Sequence, residues 1–238
     1  MNLVTLQFKT TNDFNWNLDY VETLIAKAPL NSFILAPELA LNGYAYNRMD
    51  DAVAITAQAI KVFKKLSFNK SIAITMTTKE ESKYFNTLYI FHKGKIVHTQ
   101  SKIQLFVLND ERAHFTAGNL EDMKIIDLDG FKIGALICFE LRFISYWQQL
   151  RGADLIIVPA MWGKQRKDNF ETLNKALAVA NQCFVVSSCS ANDDMAKGSA
   201  IITPFGEEYK DDKKELISRL VDLNEISKMR KYLDVGIK

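Results

Sequence analysis

No apolar run in this chain is longer than a β-strand, and that limit decides most of what it can fold into. The two longest, Ile133–Phe139 and Leu155–Met161, fall far short of the ~18–20 consecutive apolar residues that span a bilayer. No membrane partner is expected. Between such runs the period changes to that of a helix. Leu18, Val21, Leu24, Ile25 and Ala28 mark one amphipathic face, and Ala52, Ile55, Ala59, Val62, Phe63 and Leu66 mark a second. Strands are read at Leu3–Phe8, Phe33–Ala36 and Ile72–Met76. Two hairpins follow. Tyr84–Phe91 and Lys95–Thr99 flank Lys93-Gly94, while Met123–Leu128 and Phe131–Ile137 flank Asp129-Gly130, a pair suited to a type I′ turn because both positions need positive φ. Further on, a helical stripe runs through Phe143, Ile144, Trp147 and Leu150, then a strand at Leu155–Pro159. A helix over Asn169–Asn181 is expected to open on Asp168 as N-cap with Glu171 at N3. Strands at Phe184–Ser188 and Ser199–Thr203, a turn at Pro204–Gly206, a charged solvated turn at Asp211–Glu215 and a short surface helix over Leu223–Tyr232 complete the pattern. Helices and strands interspersed over the whole length point to an α/β fold of sheets covered by helices.

Composition narrows the setting. With 238 residues, 48% hydrophobic and 24% charged, the chain is neither disordered nor collagen-like. Its 4 Pro and 10 Gly are scattered, with no Ser/Gly/Pro-rich linker and no internal repeat, so residues 1–238 are read as a single domain. Lys+Arg 30 against Asp+Glu 28 leaves +2, too weak a field to attract nucleic acid or an anionic membrane. Three cysteines cannot build a disulfide framework, and Met1–Lys9 lacks the basic and apolar regions of a secretory leader. A cytoplasmic location is expected. Three cysteines and three scattered histidines lack zinc-ligand spacing, and neither phosphate-binding glycine motif occurs.

Three residues stand where chemistry could be. Cys138 ends an apolar strand and precedes a helical stripe, so the turn would expose it and aim backbone N–H groups at a nearby anion, favouring the nucleophilic thiolate. A buried structural thiol is the other reading of its position, and the one assigned to Cys183 and Cys189. Glu38 directly follows the strand Phe33–Ala36, where α/β sheets place their sites and where a carboxylate can serve as general base; a loop carboxylate facing solvent has the same sequence. Lys102 follows the strand Lys95–Thr99, and Ile103, Leu105 and Phe106 beside it argue against full exposure. Of the histidines, His92 and His98 read as surface residues of a hairpin, while His114 could serve Cys138 as a base.

Taken together, Pro37-Glu38-Leu-Ala-Leu-Asn-Gly-Tyr44, Lys102-Ile-Gln-Leu-Phe106 and Ile137-Cys138-Phe-Glu-Leu-Arg142-Phe143 resemble, in order and spacing, the three signature segments of the nitrilase superfamily of carbon–nitrogen hydrolases. Glu111, between Phe106 and Phe115, resembles that family's second glutamate, and Pro159-Ala-Met-Trp162, Asn181-Gln182, Gly198-Ser199 and Pro204-Phe-Gly206-Glu207 resemble its later landmarks. The resemblance covers nearly the whole chain. It implies a four-layer αββα sandwich, a homodimer or higher homo-oligomer paired through its helices, and a cysteine hydrolase with no metal or organic cofactor. Carried over by position, Cys138 is the nucleophile, Glu38 the general base, Lys102 the stabiliser of the tetrahedral intermediate and Glu111 an auxiliary carboxylate.

Where the chain departs from the family, local expectations change. Many amidases of the family have Cys-Tyr-Asp-x-Arg-Phe-Pro, so Phe139 removes a hydroxyl beside the nucleophile, and a pairing of Glu140 with Arg142 is open. Leu177 and Ala180 stand where an Arg and a Glu are usual, which bears on packing or subunit contact more than on the triad. Trp162-Gly-Lys-Gln-Arg166 is similar to a segment of the ω-amidase-like branch, whose substrates are monoamides of small dicarboxylic acids. On that likeness Arg166 binds the distal carboxylate; as a sequence feature it is equally a surface Arg beside Lys164 and Lys167. Tyr44, Phe106, Phe139 and Trp162 are candidate pocket residues. The expected substrate is a small-molecule amide; an N-carbamoyl-amine hydrolase or nitrilase, a Cys138–His114 acyl hydrolase and a catalytically silent dimeric scaffold are the competing readings.

Overall fold

The structure, a computed structural model, describes residues 1–237. In chain order its elements are β1 (Asn2–Leu6), α1 (Phe14–Lys27), β2 (Ser32–Leu35), α2 (Met49–Leu66), β3 (Ser71–Glu80), β4 (Lys83–His92), β5 (Lys95–Ser101), α3 (Glu111–His114), β6 (Ile126–Leu128), β7 (Phe131–Ala135), α4 (Ile144–Gln149), β8 (Leu155–Ala160), α5 (Lys167–Asn181), β9 (Phe184–Cys189), β10 (Ala200–Ile202), β11 (Glu208–Lys210), β12 (Leu216–Leu220) and α6 (Asn224–Tyr232). The strands form two six-stranded sheets, ordered β12-β1-β2-β3-β4-β5 and β11-β10-β9-β8-β7-β6.

Alternation along the strands builds the layers. In the first sheet Val4, Ile34, Ile72 and Ile74 face outward and pack with Val21, Leu24 and Ile25 of α1 and Ala52, Ile55, Ala59 and Phe63 of α2. Their neighbours Leu3, Phe33, Leu35, Ala73, Leu88 and Ile90 face inward against the second sheet, whose other side is covered by Tyr146 and Trp147 of α4 and Phe170, Leu177 and Ala178 of α5. The result is the four-layer α/β sandwich. Thr5 and Ser188 stitch the inner faces, their hydroxyls donating to Ser187 O at 2.7 Å and Leu6 O at 2.6 Å. Leu177, where the resemblance leads to the expectation of an Arg, is wholly buried in that packing, whereas Ala180 is exposed.

Both hairpins turn as their sequences require: Lys93-Gly94 and Asp129-Gly130 all have positive φ. Other expectations are corrected. The helix at α5 begins at Lys167 with Arg166 as its N-cap, and no side-chain cap forms; Glu171 is drawn instead to Lys167 and Lys210. The N-cap that does form is Asp13, whose carboxylate accepts the Trp16 N–H at 3.0 Å. His98 is buried, because it points inward from β5, and burial lowers its pKa. β11 and β12 carry short polar patterns that local periodicity does not reveal; β12 pairs with β1 from the far end of the chain.

Direction within the sheets then sets the site. β1, β2 and β3 run parallel, β4 reverses and β5 reverses again, so β2 and β5 end at the same edge. In the second sheet β7, β8 and β9 run parallel. The C-terminal ends of β2, β5, β7 and β8 meet, and the Glu38 N–H donates to Ala160 O across the two sheets.

Candidate active site

Glu38, Lys102, Glu111 and Cys138 are brought together at this edge by chain turns that few residues adopt freely. Leu39, just after Glu38, Asp110, just before Glu111, and Cys138 itself all have left-handed φ, between 46° and 52°. For a residue with a Cβ this conformation costs about 1–3 kcal/mol and persists only where the surroundings hold it. At Leu39 the N–H donates to Thr75 Oγ1 at 2.7 Å, and the Leu39 carbonyl accepts from Gly43 at 2.7 Å. Lys102 is bracketed by a bond from its N–H to Asn86 O at 2.8 Å and one from the Gly118 N–H to its carbonyl at 2.9 Å. Gly118 is required there, since a Cβ would lie 2.3 Å from Ser101 O.

The charges beneath the site are almost wholly dry. Lys102 Nζ donates to Glu38 Oε1 at 2.8 Å, to Glu111 Oε1 at 2.7 Å and to the Tyr44 hydroxyl at 3.2 Å. Glu38 Oε1 also accepts from Asn86 Nδ2 at 2.9 Å, and its Oε2 from the Met161 N–H at 3.0 Å. Glu111 accepts in addition from the Tyr44 hydroxyl at 2.7 Å and the Phe106 N–H at 3.0 Å. Two carboxylates against one ammonium leave a surplus negative charge. Burial opposes the Lys102 charge, but Glu38 and Glu111 outweigh it and hold the ammonium above the usual lysine range. Burial raises Glu111, against the pull of Lys102.

Cys138 follows β7 and opens a short 3₁₀ turn, Cys138–Arg142, with its side chain almost buried. Burial and then Glu38 push its thiol well above the ordinary cysteine range, and Lys102 offsets only part of this. The expectation of a resting thiolate is therefore corrected: the turn is too short to supply a helix dipole, and the neighbouring net charge is negative. Glu140, also wholly buried, does not pair with Arg142. It accepts the Ile137 N–H at 2.7 Å and the Ile103 N–H at 2.6 Å, while Arg142 donates to Asn169 and lies 5.1 Å over the Trp162 ring. Burial pushes the Glu140 carboxyl up to about 7, the amide donors working against it.

Above Cys138 opens a cavity of about 490 Å³. Tyr44, Phe106, Glu111, Met161 and Arg166 line it, with Thr10, Asn42 and Asn192 among its polar wall. Arg166 lies 5.3 Å over the Phe106 ring, and among the described residues no carboxylate pairs with it. Two candidate pocket residues sit elsewhere. Trp162 is buried against Phe170 and donates its indole N–H to Arg166 O at 3.0 Å. Phe139 packs between Phe106 and Phe143. His114 is stacked on Tyr46 at 4.0 Å and lines a separate hollow, so it is not brought to Cys138. Cys183 and Cys189 are buried, which pushes each thiol up to about 12. Among the described residues no group of three or more His, Cys, Asp or Glu is placed to hold a metal ion, and no helix is long and apolar enough to cross a membrane.

The carbon-nitrogen hydrolase family model matches residues 3–231. The chain belongs to this family. This carbon-nitrogen hydrolase is 28% identical to the 2-oxoglutaramate amidase of Bacillus subtilis over 233 residues, 92% of this chain and 89% of that one. It is 30% identical to the omega-amidase YafV of Escherichia coli K12 over 184 residues, 73% and 70% of the two chains. Its fold matches that of Saccharomyces cerevisiae Nit3, a member of branch 10 of the nitrilase superfamily, with a TM-score of 0.85, 20% identity and coverage of 100% and 96%. Two residues of the site escaped the motif reading of this hydrolase: Asn86, which holds Glu38, and Glu140 in its bridging role. A polar side chain inside the apolar strand run Tyr84–Phe91 was the signal for the first, because a buried amide needs a partner.

Proposed function

We propose that this carbon-nitrogen hydrolase is an amidase that cleaves small monoamides of dicarboxylic acids through a thioester on Cys138, with Glu38 as general base and Lys102 as oxyanion stabiliser. The observation that carries this reading is the stack at one cavity: a sulfur at its floor, a buried Glu38–Lys102–Glu111 cluster beside it, and a guanidinium without a carboxylate partner on its wall. The activities named for the B. subtilis and E. coli relatives support the same substrate class.

The surplus negative charge dictates the order of events. A free thiolate beside Glu38 and Glu111 is disfavoured, so the thiol proton passes to Glu38 as the sulfur bonds to the amide carbon. Charge then moves outward to the carbonyl oxygen. Lys102 has three N–H donors, and the one on Tyr44 makes the longest contact; exchanging it for the oxyanion costs the resting site least. The Phe139 N–H is the second donor. Collapse breaks the C–N bond, Glu38 returns the proton to the departing nitrogen and ammonia leaves. Water then loses a proton to Glu38 and attacks the thioester, and collapse releases the acid while the sulfur regains its proton. Glu111 holds Lys102 and Tyr44 in place throughout. Arg166 receives the distal carboxylate as a fork of two donors.

The working enzyme is proposed to be one domain over residues 1–238, cytoplasmic, and paired through its helices as a homodimer. Intact-mass measurement with peptide mapping of the trapped chain during turnover of succinamate tests the chemistry. The expected result is an acyl adduct on Cys138 and none in Cys138→Ser; an adduct on Cys183 or Cys189 overturns the assignment. A panel of carbamoyl compounds and nitriles decides between this bond and its two alternatives.

A further inference from the structure

Glu140 takes no part in the chemistry above, yet it is wholly buried and its carboxylate is spent on backbone amides. Oε2 accepts the N–H of Ile137, the residue before Cys138, and Oε1 accepts the N–H of Ile103, the residue after Lys102. One side chain therefore joins two segments that arrive from different sheets. Taking the assignment of Cys138 and Lys102 as given, we propose that Glu140 is a positioning residue for amide hydrolysis, locking the Cys138 turn to the Lys102 segment so that sulfur and ammonium keep one separation through the reaction.

The geometry favours this over a role in folding alone. A buried carboxylate is costly unless its oxygens are satisfied, and here they are satisfied only if both segments stay where they are. The clasp also falls where the backbone is least able to hold itself. Cys138 has φ +52°; the bond at the Ile137 N–H fixes the Leu136–Ile137 peptide, and the return bond from Glu140 N–H to Ile137 O at 3.1 Å fixes the following one, which leads into Cys138. On the other side Lys102 is held through its own N–H and carbonyl, and the Ile103 N–H, which shares a peptide with that carbonyl, ties the same peptide a second time. The neighbouring Gln104 is anchored in turn, donating to the Tyr146 hydroxyl at 2.6 Å. Loosening the clasp would let the sulfur and ammonium drift independently, which changes the transition state more than substrate binding.

The test uses Glu140→Gln, which offers an NH₂ where one amide needs an acceptor, and Glu140→Asp, which is a methylene too short to span both. Steady-state hydrolysis of succinamate is measured with kcat normalised to the folded fraction, alongside the alkylation rate of Cys138 by iodoacetamide. The expected result is a kcat about 10²-fold lower, the cost of an ~1 Å misplacement, with KM within about threefold and slower alkylation. If a folded variant keeps kcat within about threefold of the parent chain, the proposal is overturned, whatever happens to its melting temperature. Cys138→Ser is run beside them. Turnover persisting in that control rejects the cysteine assignment itself, whereas no turnover there with undiminished kcat in the Glu140 variants rejects only the clasp.

Discussion

Lys102 Nζ sits 2.8 Å from Glu38 Oε1, and neither side chain is exposed at all. With Glu111 on the other side of the ammonium, the three behave as one charge unit. Lys102→Met is expected to lose about 3–5 kcal/mol of stability, because two carboxylates then share a dry site with no cation. Adding Glu111→Gln to that variant is expected to recover part of the loss by removing one of them. Urea denaturation of both variants checks this; equal losses would mean the carboxylates do not repel one another there. With Lys102 in its proposed role, turnover in either should fall by at least ~10²-fold, as for removal of an oxyanion donor.

Glu140 gives the fold a pH dependence whose sign can be worked out. Its carboxyl ordinarily titrates at 4.5 and in the folded chain at about 7, so the native state holds a proton that the unfolded chain has released between those values. The contribution is therefore favourable below 4.5 and is lost as pH rises toward 7, on the order of 3 kcal/mol in all. Glu140→Gln cannot titrate. The stability difference between the parent chain and this variant should shrink from pH 5 to pH 7.5, read from denaturation midpoints at each pH. A constant difference would show that Glu140 has an ordinary carboxyl.

Arg166 faces the cavity with its guanidinium over Phe106 and no carboxylate partner among the described residues. A charge-assisted bond to a substrate carboxylate is worth about 1.5–3 kcal/mol, so Arg166→Ala should lower kcat/KM for succinamate by roughly 10- to 150-fold, chiefly through KM. Neutral amides of similar size should lose less than about threefold. Equal losses on both would remove Arg166 from the substrate contacts.

What was legible in the sequence follows from the physics of each signal. The strand and helix series could be read because burial against a neighbouring layer forces period 2 or period 3.6 on apolar residues, as at Val4, Ile34 and Ile72 or Val21, Leu24 and Ile25. β11 was hidden because Glu208, Tyr209 and Lys210 form a short partly exposed edge strand, where nothing enforces alternation. For the candidate site, ordered motifs singled out Glu38, Lys102, Glu111 and Cys138, and the fold places all four at the shared edge of β2, β5, β7 and β8. Their electrostatics were not visible. Whether Cys138 rests as thiol or thiolate depends first on its burial and then on Glu38, Lys102 and Glu111 around it, and the turn alone, which pointed to a thiolate, carries none of these. The place of Glu140 was hidden for a related reason, since its partners are backbone amides that no residue pattern marks.

Cys138 carries a last consequence in its backbone. At φ +52° a residue with a Cβ bears about 1–3 kcal/mol of strain, which glycine escapes. Against that relief, going from Ala to Gly at a buried site loses about 0.8 kcal/mol of methyl burial and a further ~0.5–1 kcal/mol of chain entropy. The terms nearly cancel, so Cys138→Gly and Cys138→Ala are expected to match in stability within about 1 kcal/mol. Ala135, three residues earlier in β7, is buried and in extended backbone, and there Ala135→Gly has no strain to relieve. It should cost about 1–2 kcal/mol. Thermal or urea unfolding of the four chains gives the comparison directly. A Cys138→Gly chain less stable than Cys138→Ala by as much as Ala135→Gly is less stable than its parent would mean that the Cys138 turn holds no strain for the surrounding structure to restrain.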